Sequence, residues 1–510
     1  MLSRIAPYLT ISMAVLLLAS ACGSPPAAPM QLINLTEEAT AVEEPIATPQ
    51  PTRPAYDPGQ RVEYIAQTGD TLPALAVRFN TTEEEIRAAN PIIPEQVTTM
   101  PPGLPMQIPI YYRAYWGSQY QIIPDSQFIN GPAVLDFDTE EFVSAQAGWL
   151  KNYRGAAGKE TLTGAQIVDQ VATTFSISPR LLLALLEYRS GALSQPDLAP
   201  ELRVYPLGYH DQFHRGLHLQ LVWAANSLND TYYRWRAGKL IEFDRPGGAI
   251  YRPDPWQNAA SASLQYFFNV NLPSSEFETA ISPQGFAATF NNLFGNPWED
   301  DQPHLPGSLL QPELRLPFTS GDTWAFTGGP HTGWGNGQPY AALDFAPSLT
   351  SRGCVSTNTW ATAPADGLVV RTGEGILVLD LDGDGDERTG WVIFFLHLGE
   401  EGRAPVGRYV LAGQPIGHPS CEGGESTGTH IHVARKYNGE WIMADGALAF
   451  VMEGWQAHEG EDEYLGTLTR PGFTVVACTC SDINTAITSY AEPVPFPTPA
   501  AIAAPNISGD

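Results

Sequence analysis

Residues 426–433 read Ser-Thr-Gly-Thr-His-Ile-His-Val, and this stretch decides how the C-terminal third of the chain is read. On a strand the side-chain period is two, so His430 and His432 project from the same face and can reach one centre. Working outward, Trp391-Val392-Ile393-Phe394-Phe395-Leu396 is a β-rich run that ends at His397. Gly367-Leu368-Val369-Val370 and Gly375-Ile376-Leu377-Val378-Leu379 are two more. Between about 311 and 475 such runs alternate with Gly, Pro and Asp, which predicts antiparallel strands joined by hairpin turns. His331 follows Gly328-Gly329-Pro330, and Asp344 stands thirteen positions later (344 − 331 = 13) in Ala341-Ala342-Leu343-Asp344-Phe345-Ala346-Pro347.

Zinc in a hydrolase takes three protein ligands from His and carboxylate and leaves a fourth position open. It acidifies water and polarises a carbonyl. Two further imidazoles can handle protons and stabilise an oxyanion. One histidine on a strand is usually only a satisfied polar residue, and Asp344 alone could anchor a turn; five such residues in one domain point to a site.

With the strings ADGLVV, FLHL, VGRYVLAGQPIG and STGTHIH, this constellation resembles the lysostaphin-like M23 metallopeptidases over nearly all of 320–445. It is most similar to the beta-lytic type, which separates its first His and Asp by a long loop such as HTGWGNGQPYAALDF; the shorter His-x-x-x-Asp of other members is absent. The resemblance implies that His331, Asp344 and His432 are zinc ligands and that His397 and His430 are the catalytic pair. It also implies hydrolysis of amide bonds in peptidoglycan stem peptides or cross-bridges. Relatives that have lost ligands serve as scaffolds or activators of other hydrolases, and beta-lytic relatives also cut Gly-rich proteins. Here all five residues are present.

The hairpin before His397 carries Asp380, Asp382, Asp384 and Asp386, with Gly385 in sixth place, which mimics the start of a calcium loop. Position twelve is Trp391 instead of Glu, so closure from that place is missing; the plainer reading is a solvated acidic turn.

Residues 61–111 form a unit of their own. Val62, Tyr64 and Ala66 alternate as in a short strand, and Asp70 or Thr71 can cap a helix bearing Leu72, Leu75, Ala76 and Phe79. A second helix follows Thr81-Thr82 and stops at Asn90-Pro91, and Met106-Gln107-Ile108-Pro109 closes the unit. The run YIAQTGDTLPALAVRFNTTEEEIRAANP, followed by PGLPMQIP, closely resembles the LysM module. That resemblance implies a βααβ fold binding N-acetylglucosamine-containing glycan through Gly69, Asp70, Thr71 and Asn90, with Pro101-Pro102 as extra residues before the last strand.

Residues 125–310 are expected to be mainly helical. Ile167–Leu186 has apolar residues at helical spacing, with Ser178-Pro179 starting a second helix. Ile177–Gly191 is faintly similar to the lysozyme-like lytic transglycosylases, but Arg189 stands where their catalytic glutamate precedes Ser-Gly. A guanidinium cannot protonate a leaving oxygen, and Glu187 would point about 200° away on a helix. The region is therefore a degenerate relative at most, structural or glycan-binding. His210, His214 and His218 would share a helix face, but no carboxylate pattern completes a ligand set there apart from Asp211.

The fold class is thus multidomain: a small βααβ module, a mainly α middle domain and a C-terminal, mostly antiparallel β domain at 311–480. A net charge of −28 argues against a nucleic-acid partner. Arg4, the apolar stretch Leu9–Ala19 and the small residues before Cys22 read as a signal peptide at 1–21, too short for a comfortable membrane span. They resemble a bacterial lipoprotein leader, although Ala19 stands where leucine is usual. This implies an exported chain anchored through a lipid on Cys22, facing the wall. Residues 22–60 and 481–510, rich in Pro, Ala and Thr, read as a disordered tether and tail. Cys354, Cys421, Cys478 and Cys480 allow one or two disulfides in any of three full pairings.

Overall fold

Apolar alternation builds the first element. Val62 and Tyr64 turn inward from strand β1 (Gln60–Ile65), and Met106 and Ile108 face them from strand β2 (Pro105–Ile110), with Tyr64 opposite Met106 and Val62 opposite Ile108. Helices α1 (Leu72–Phe79) and α2 (Glu83–Ala89) lie between, capped by the hydroxyls of Thr71 and Thr82 on the amides of Ala74 and Glu85. In this computed structural model, residues 53, 55–299, 301–348, 353–480 and 483–492 are described, all within the compact unit Gln50–Asp510. The leader, Cys22, most of the tether and the tail beyond 492 lie outside the described residues.

The middle of the chain is mainly helical: α3 (Thr139–Ala145), a small hairpin of β3 (Arg154–Ala157) and β4 (Glu160–Thr163), then α4 (Gly164–Phe175), α5 (Pro179–Ser190), α6 (Pro200–Val204) and α7 (Leu217–Arg236). A second small hairpin, β5 (Phe243–Asp244) and β6 (Ile250–Tyr251), precedes α8 (Ala259–Asn271), α9 (Ser274–Ala280) and α10 (Phe286–Phe294). The Ser178-Pro179 start is realised, with the Ser178 hydroxyl accepting from the Leu181 amide. Glu187 accepts from the amides of Leu193 and Ser194 just past the end of α5, and Arg189 donates to the Leu207 carbonyl. Both serve local structure.

The shared helix face expected for His210, His214 and His218 is not formed. Only His218 is helical, because Gly208 and Gly216 take left-handed backbone angles and α7 begins after Gly216. His214 instead pairs with Asp211 at 2.7 Å.

The C-terminal region is built on a nine-stranded antiparallel sheet. Its strands are β7 (Thr323–Thr332), β8 (Tyr340–Pro347), β10 (Gly367–Thr372), β11 (Leu377–Asp380), β12 (Trp391–Leu396), β13 (Tyr409–Val410), β15 (Ile431–Tyr437), β16 (Glu440–Ile442) and β21 (Ala486–Thr488). Short strands β9 (Ala361–Thr362) and β14 (Pro415–Gly417) pair beside it. A separate meander runs through β17 (Val451–Met452), β18 (Trp455–Glu459), β19 (Gly466–Arg470) and β20 (Phe473–Val476). The main path is β13-β10-β11-β12-β15-β8-β7-β21, with β16 added on β15. The cysteines pair as Cys354–Cys421 and Cys478–Cys480.

Both faces of this sheet are buried. Ile393, Phe395, Ile431, Val433, Leu343 and Phe345 point into one core with the meander. Val378, Val392, Phe394, Leu396, Ala434 and Trp441 point into the other, which they share with α4, α5, α7 and α8. A strand buried on both faces needs unbroken apolar sequence, which is why β12 reads Val-Ile-Phe-Phe-Leu without alternation.

A largely buried charge trio ties β10 and β15 to the turn between β11 and β12. Glu387 accepts from Arg371 and from Lys436, whose Nζ lies at 2.8 Å. Burial would raise the Glu387 carboxyl, but Lys436 and Arg371 hold it at about 2, whereas burial outweighs Glu387 at Lys436 and lowers that ammonium. Glu387→Gln would leave Lys436 buried without its counter-charge and is expected to cost about 3 kcal/mol in a denaturant titration at neutral pH. The carboxylate's contribution is depressed-pKa stability, complete above its ordinary 4.5 and lost as pH falls towards 2. The wild-type advantage over the variant should shrink over that window.

Candidate metal centre

Register places the site residues. On neighbouring strands in the order β12-β15-β8-β7, His432 stands opposite both Asp344 and Leu396, and His331 stands opposite Ala342. Asp344 and His432 therefore leave the sheet on the side of Ala342 and Ala434, at the edge of the core shared with the helices. His397 follows β12 in a left-handed conformation (φ 63°), which turns its ring back over the same edge.

Ligand atoms of His331, Asp344 and His432, all buried, lie within 4.8 Å of one another. His331 Nε2 is 3.0 Å from His432 Nδ1 and 3.2 Å from Asp344 Oδ1. The other ring nitrogens are already committed: His331 Nδ1 donates to the Gly329 carbonyl at 2.8 Å, and His432 Nε2 to the Gly333 carbonyl at 3.1 Å. Each neutral imidazole has one N–H, so two lone pairs and a carboxylate face one another. Asp344 Oδ1 is buried without a hydrogen bond. Such a convergence of acceptors calls for a cation, and two His with one Asp plus fixed outer contacts fit a divalent metal with an open position. Burial would raise the Asp344 carboxyl, but His331 and His430 hold it well below the usual range.

His397 and His430 sit beside this cluster with ring centres 4.5 Å apart. His397 Nδ1 donates to the Glu422 carbonyl at 2.9 Å, and His430 Nδ1 to the Gly428 carbonyl at 2.7 Å, which leaves both Nε2 atoms free to act. His430 Nε2 is 3.7 Å from Asp344 Oδ2. Burial, then the neighbouring His430 and His432, lower His397 to about 4, so its base form persists through neutral pH. The Cys354–Cys421 disulfide joins the loop before Val355 to the loop that carries Glu422 and Ser426, which orient this pair.

Two contributions were not visible in the sequence. Tyr464, in the turn before β19, stacks on His331 with ring centres 4.2 Å apart; nothing local marks it, because a meander turn far along the chain delivers it. The loop between His331 and Asp344 is braced by α7, where Asn226 and Asp230 side chains accept from the amides of Asn336 and Gln338. That loop includes Gly333, whose carbonyl fixes the His432 tautomer.

In the acidic hairpin, carboxylates of Asp380, Asp382 and Asp384 come within 4.8 Å of one another. Asp380 is buried and accepts from the amides of Asp382, Gly383 and Gly385, so it anchors the turn. Asp386 turns away to Arg388 at 2.6 Å, which removes it from the set expected for a calcium loop. Burial and a hydrogen bond to Asp380 raise Asp382 to about 6.

In the N-terminal module, Thr71 caps α1, while Asp70 is buried and accepts from Tyr64 Oη and the Gln67 amide beside Arg78. Asn90 is also buried and spans to β2, donating to the Ile86 and Gln107 carbonyls and accepting from the Gln107 amide. Gly69 lies in the turn with φ 71°.

Two histidines and an aspartate converge from one sheet with a second histidine pair alongside, an arrangement that could hold one metal ion. Residues 64–98 match the family model described as LysM domain, and residues 121–307 match LasA, N-terminal domain. The chain is 25% identical over 344 residues to Protease LasA of Pseudomonas aeruginosa, covering 63% of this chain and 75% of that protein. Among solved structures it resembles an M23 metalloprotease, pseudoalterin, from the deep sea, at 23% identity and a TM-score of 0.28, over 33% of this chain and 96% of that one. It also resembles the catalytic domain of lysostaphin from Staphylococcus simulans, at 26% identity and a TM-score of 0.18, over 24% and 87% of the two chains. The chain thus carries a LysM-type module near its start and is similar to Protease LasA over 63% of its length.

Proposed function

We propose that the protein is a zinc endopeptidase that hydrolyses amide bonds of peptidoglycan stem peptides or cross-bridges. The module at 61–111 holds it on the glycan, and a lipid on Cys22 anchors it outside the cell membrane. The observation that carries this reading is the cluster of His331, His432 and Asp344, whose lone pairs face one another while their outer nitrogens are fixed by carbonyls. Zinc bound there would supply Lewis acidity to a scissile carbonyl and acidity to water. His397 Nε2 takes a proton from attacking water and returns it to the departing amine, while His430 Nε2, a lone pair because Nδ1 donates to Gly428, accepts from that water and orients it. No helix among the described residues is long and apolar enough to cross a membrane. Tethering to glycan would raise the local concentration of stem peptides without new contacts at the metal.

His397→Ala is expected to lower kcat by about 10²- to 10⁴-fold while zinc stays bound. The acid limb of the wild-type pH profile should lie well below the ordinary histidine value of 6.5, because the active form is the neutral imidazole and burial holds protonation off to about 4. The bond cut is read by incubating the full chain with purified peptidoglycan and identifying the newly exposed amino-terminal residues. New termini within stem or bridge support the proposal. Intact wall beside cleaved Gly-rich protein would move the assignment to a broader protease, and no cleavage of either with zinc bound would leave a wall-binding scaffold.

A further inference from the structure

The turn at Gly69 and the long loop between α2 and β2 of the LysM module both meet one piece of this chain. That piece is residues Leu305–Leu309, which link the helices to the C-terminal sheet. Thr98 Oγ1 donates to the Leu309 carbonyl at 2.6 Å and Thr99 Oγ1 to the Pro306 carbonyl at 2.8 Å. In return, the Ser308 amide donates to the Thr99 carbonyl at 2.8 Å and the Leu309 amide to Thr99 Oγ1 at 3.1 Å. Gly307 packs against Pro101. On the other side, a side chain at Gly69 would begin 2.5 Å from an Arg236 guanidinium nitrogen and 3.0 Å from Leu305 Cδ1, and Arg236 donates to the Thr68 carbonyl.

The same segment grips the peptidase region. Leu305 and Leu309 are buried with Ile442 against Trp391 and Tyr437. Directly before them, His304 Nε2 meets Glu440 at 2.6 Å and the His304 carbonyl accepts from Asn438. Asn438 lies in the turn of the β15–β16 hairpin and Glu440 begins β16, and β15 carries His432. From these contacts we infer that the linker Leu305–Leu309 is an internal occupant of the face formed by the Gly69 turn and the Thr98–Pro101 loop, competing there with N-acetylglucosamine-containing glycan. Glycan binding there releases the linker from the module and loosens its hold on the β15–β16 hairpin. This rests on the reading of the module as a glycan binder.

A receptor whose competent state is a minor population binds more weakly by that fraction. Ser308→Pro removes the amide bonded to Thr99 and imposes a negative φ where Ser308 has +53°, so it undocks the linker without touching the module. In the full chain, an N-acetylglucosamine hexamer is expected to bind this variant at least ~10-fold more tightly than the wild type. In the wild type, adding hexamer should speed exchange of the Ser308 and Leu309 amides. Equal affinity of both chains, with those amides still protected in the bound wild type, would overturn the inference and place glycan on another face. No binding by either chain, with the Leu309 amide exposed in the variant, would instead overturn the glycan-binding reading itself.

Discussion

His432→Ala is expected to abolish metal binding and to reduce amide hydrolysis by on the order of 10⁴-fold or more. Among the described residues the imidazole is one of three groups converging on the proposed ion, and its Nε2 contact to Gly333 also holds the loop between the other two ligands. Metal content measured on the purified variant should fall from one equivalent to background. A ligand that binds only the folded state raises Tm, so zinc should stabilise the wild type and leave the variant unmoved. An active variant that retained its metal would mean that the ion sits elsewhere.

A fragment limited to residues 311–480 is expected to be aggregated or unfolded, although the sequence alone marks it as a domain. Cutting it free would expose Val378, Val392, Phe394, Leu396 and Trp441, now buried against the helices. At about 1.5–3 kcal/mol for each large side chain, the loss is about 10 kcal/mol, as large as the whole stability of an ordinary domain. The fragment would also lose the bracing of the His331–Asp344 loop by Asn226 and Asp230. Sedimentation and circular dichroism of the fragment beside the full chain read this directly. A monomeric, cooperatively melting fragment would show that the helices are dispensable.

The sequence was most legible where one local pattern dictates one geometry. The period-two spacing of His430 and His432, the caps at Thr71 and Thr82, and the Ser178-Pro179 helix start all depend on neighbours within a few positions. His397 was placed correctly at a strand end, but its left-handed turn over the sheet edge was not. The largest omission was the role of the helices. It had a trace in the unbroken apolar run Val392–Leu396, which a one-sided sheet would have interrupted with polar residues. Tyr464 and the linker at 305–309 left no such trace, because their partners are more than a hundred residues away. The histidines at 210, 214 and 218 misled because equal spacing implies a shared face only when no glycine interrupts the helix.

The most direct test measures bound zinc and newly released amino groups together, on purified peptidoglycan, for the full chain, His432→Ala and His397→Ala, each with and without chelator. The predicted result is zinc and release in the wild type, both lost with chelator. His432→Ala should have neither, and His397→Ala should keep its zinc while release falls at least ~10²-fold. Release that survives chelation or the loss of His432 would contradict the account.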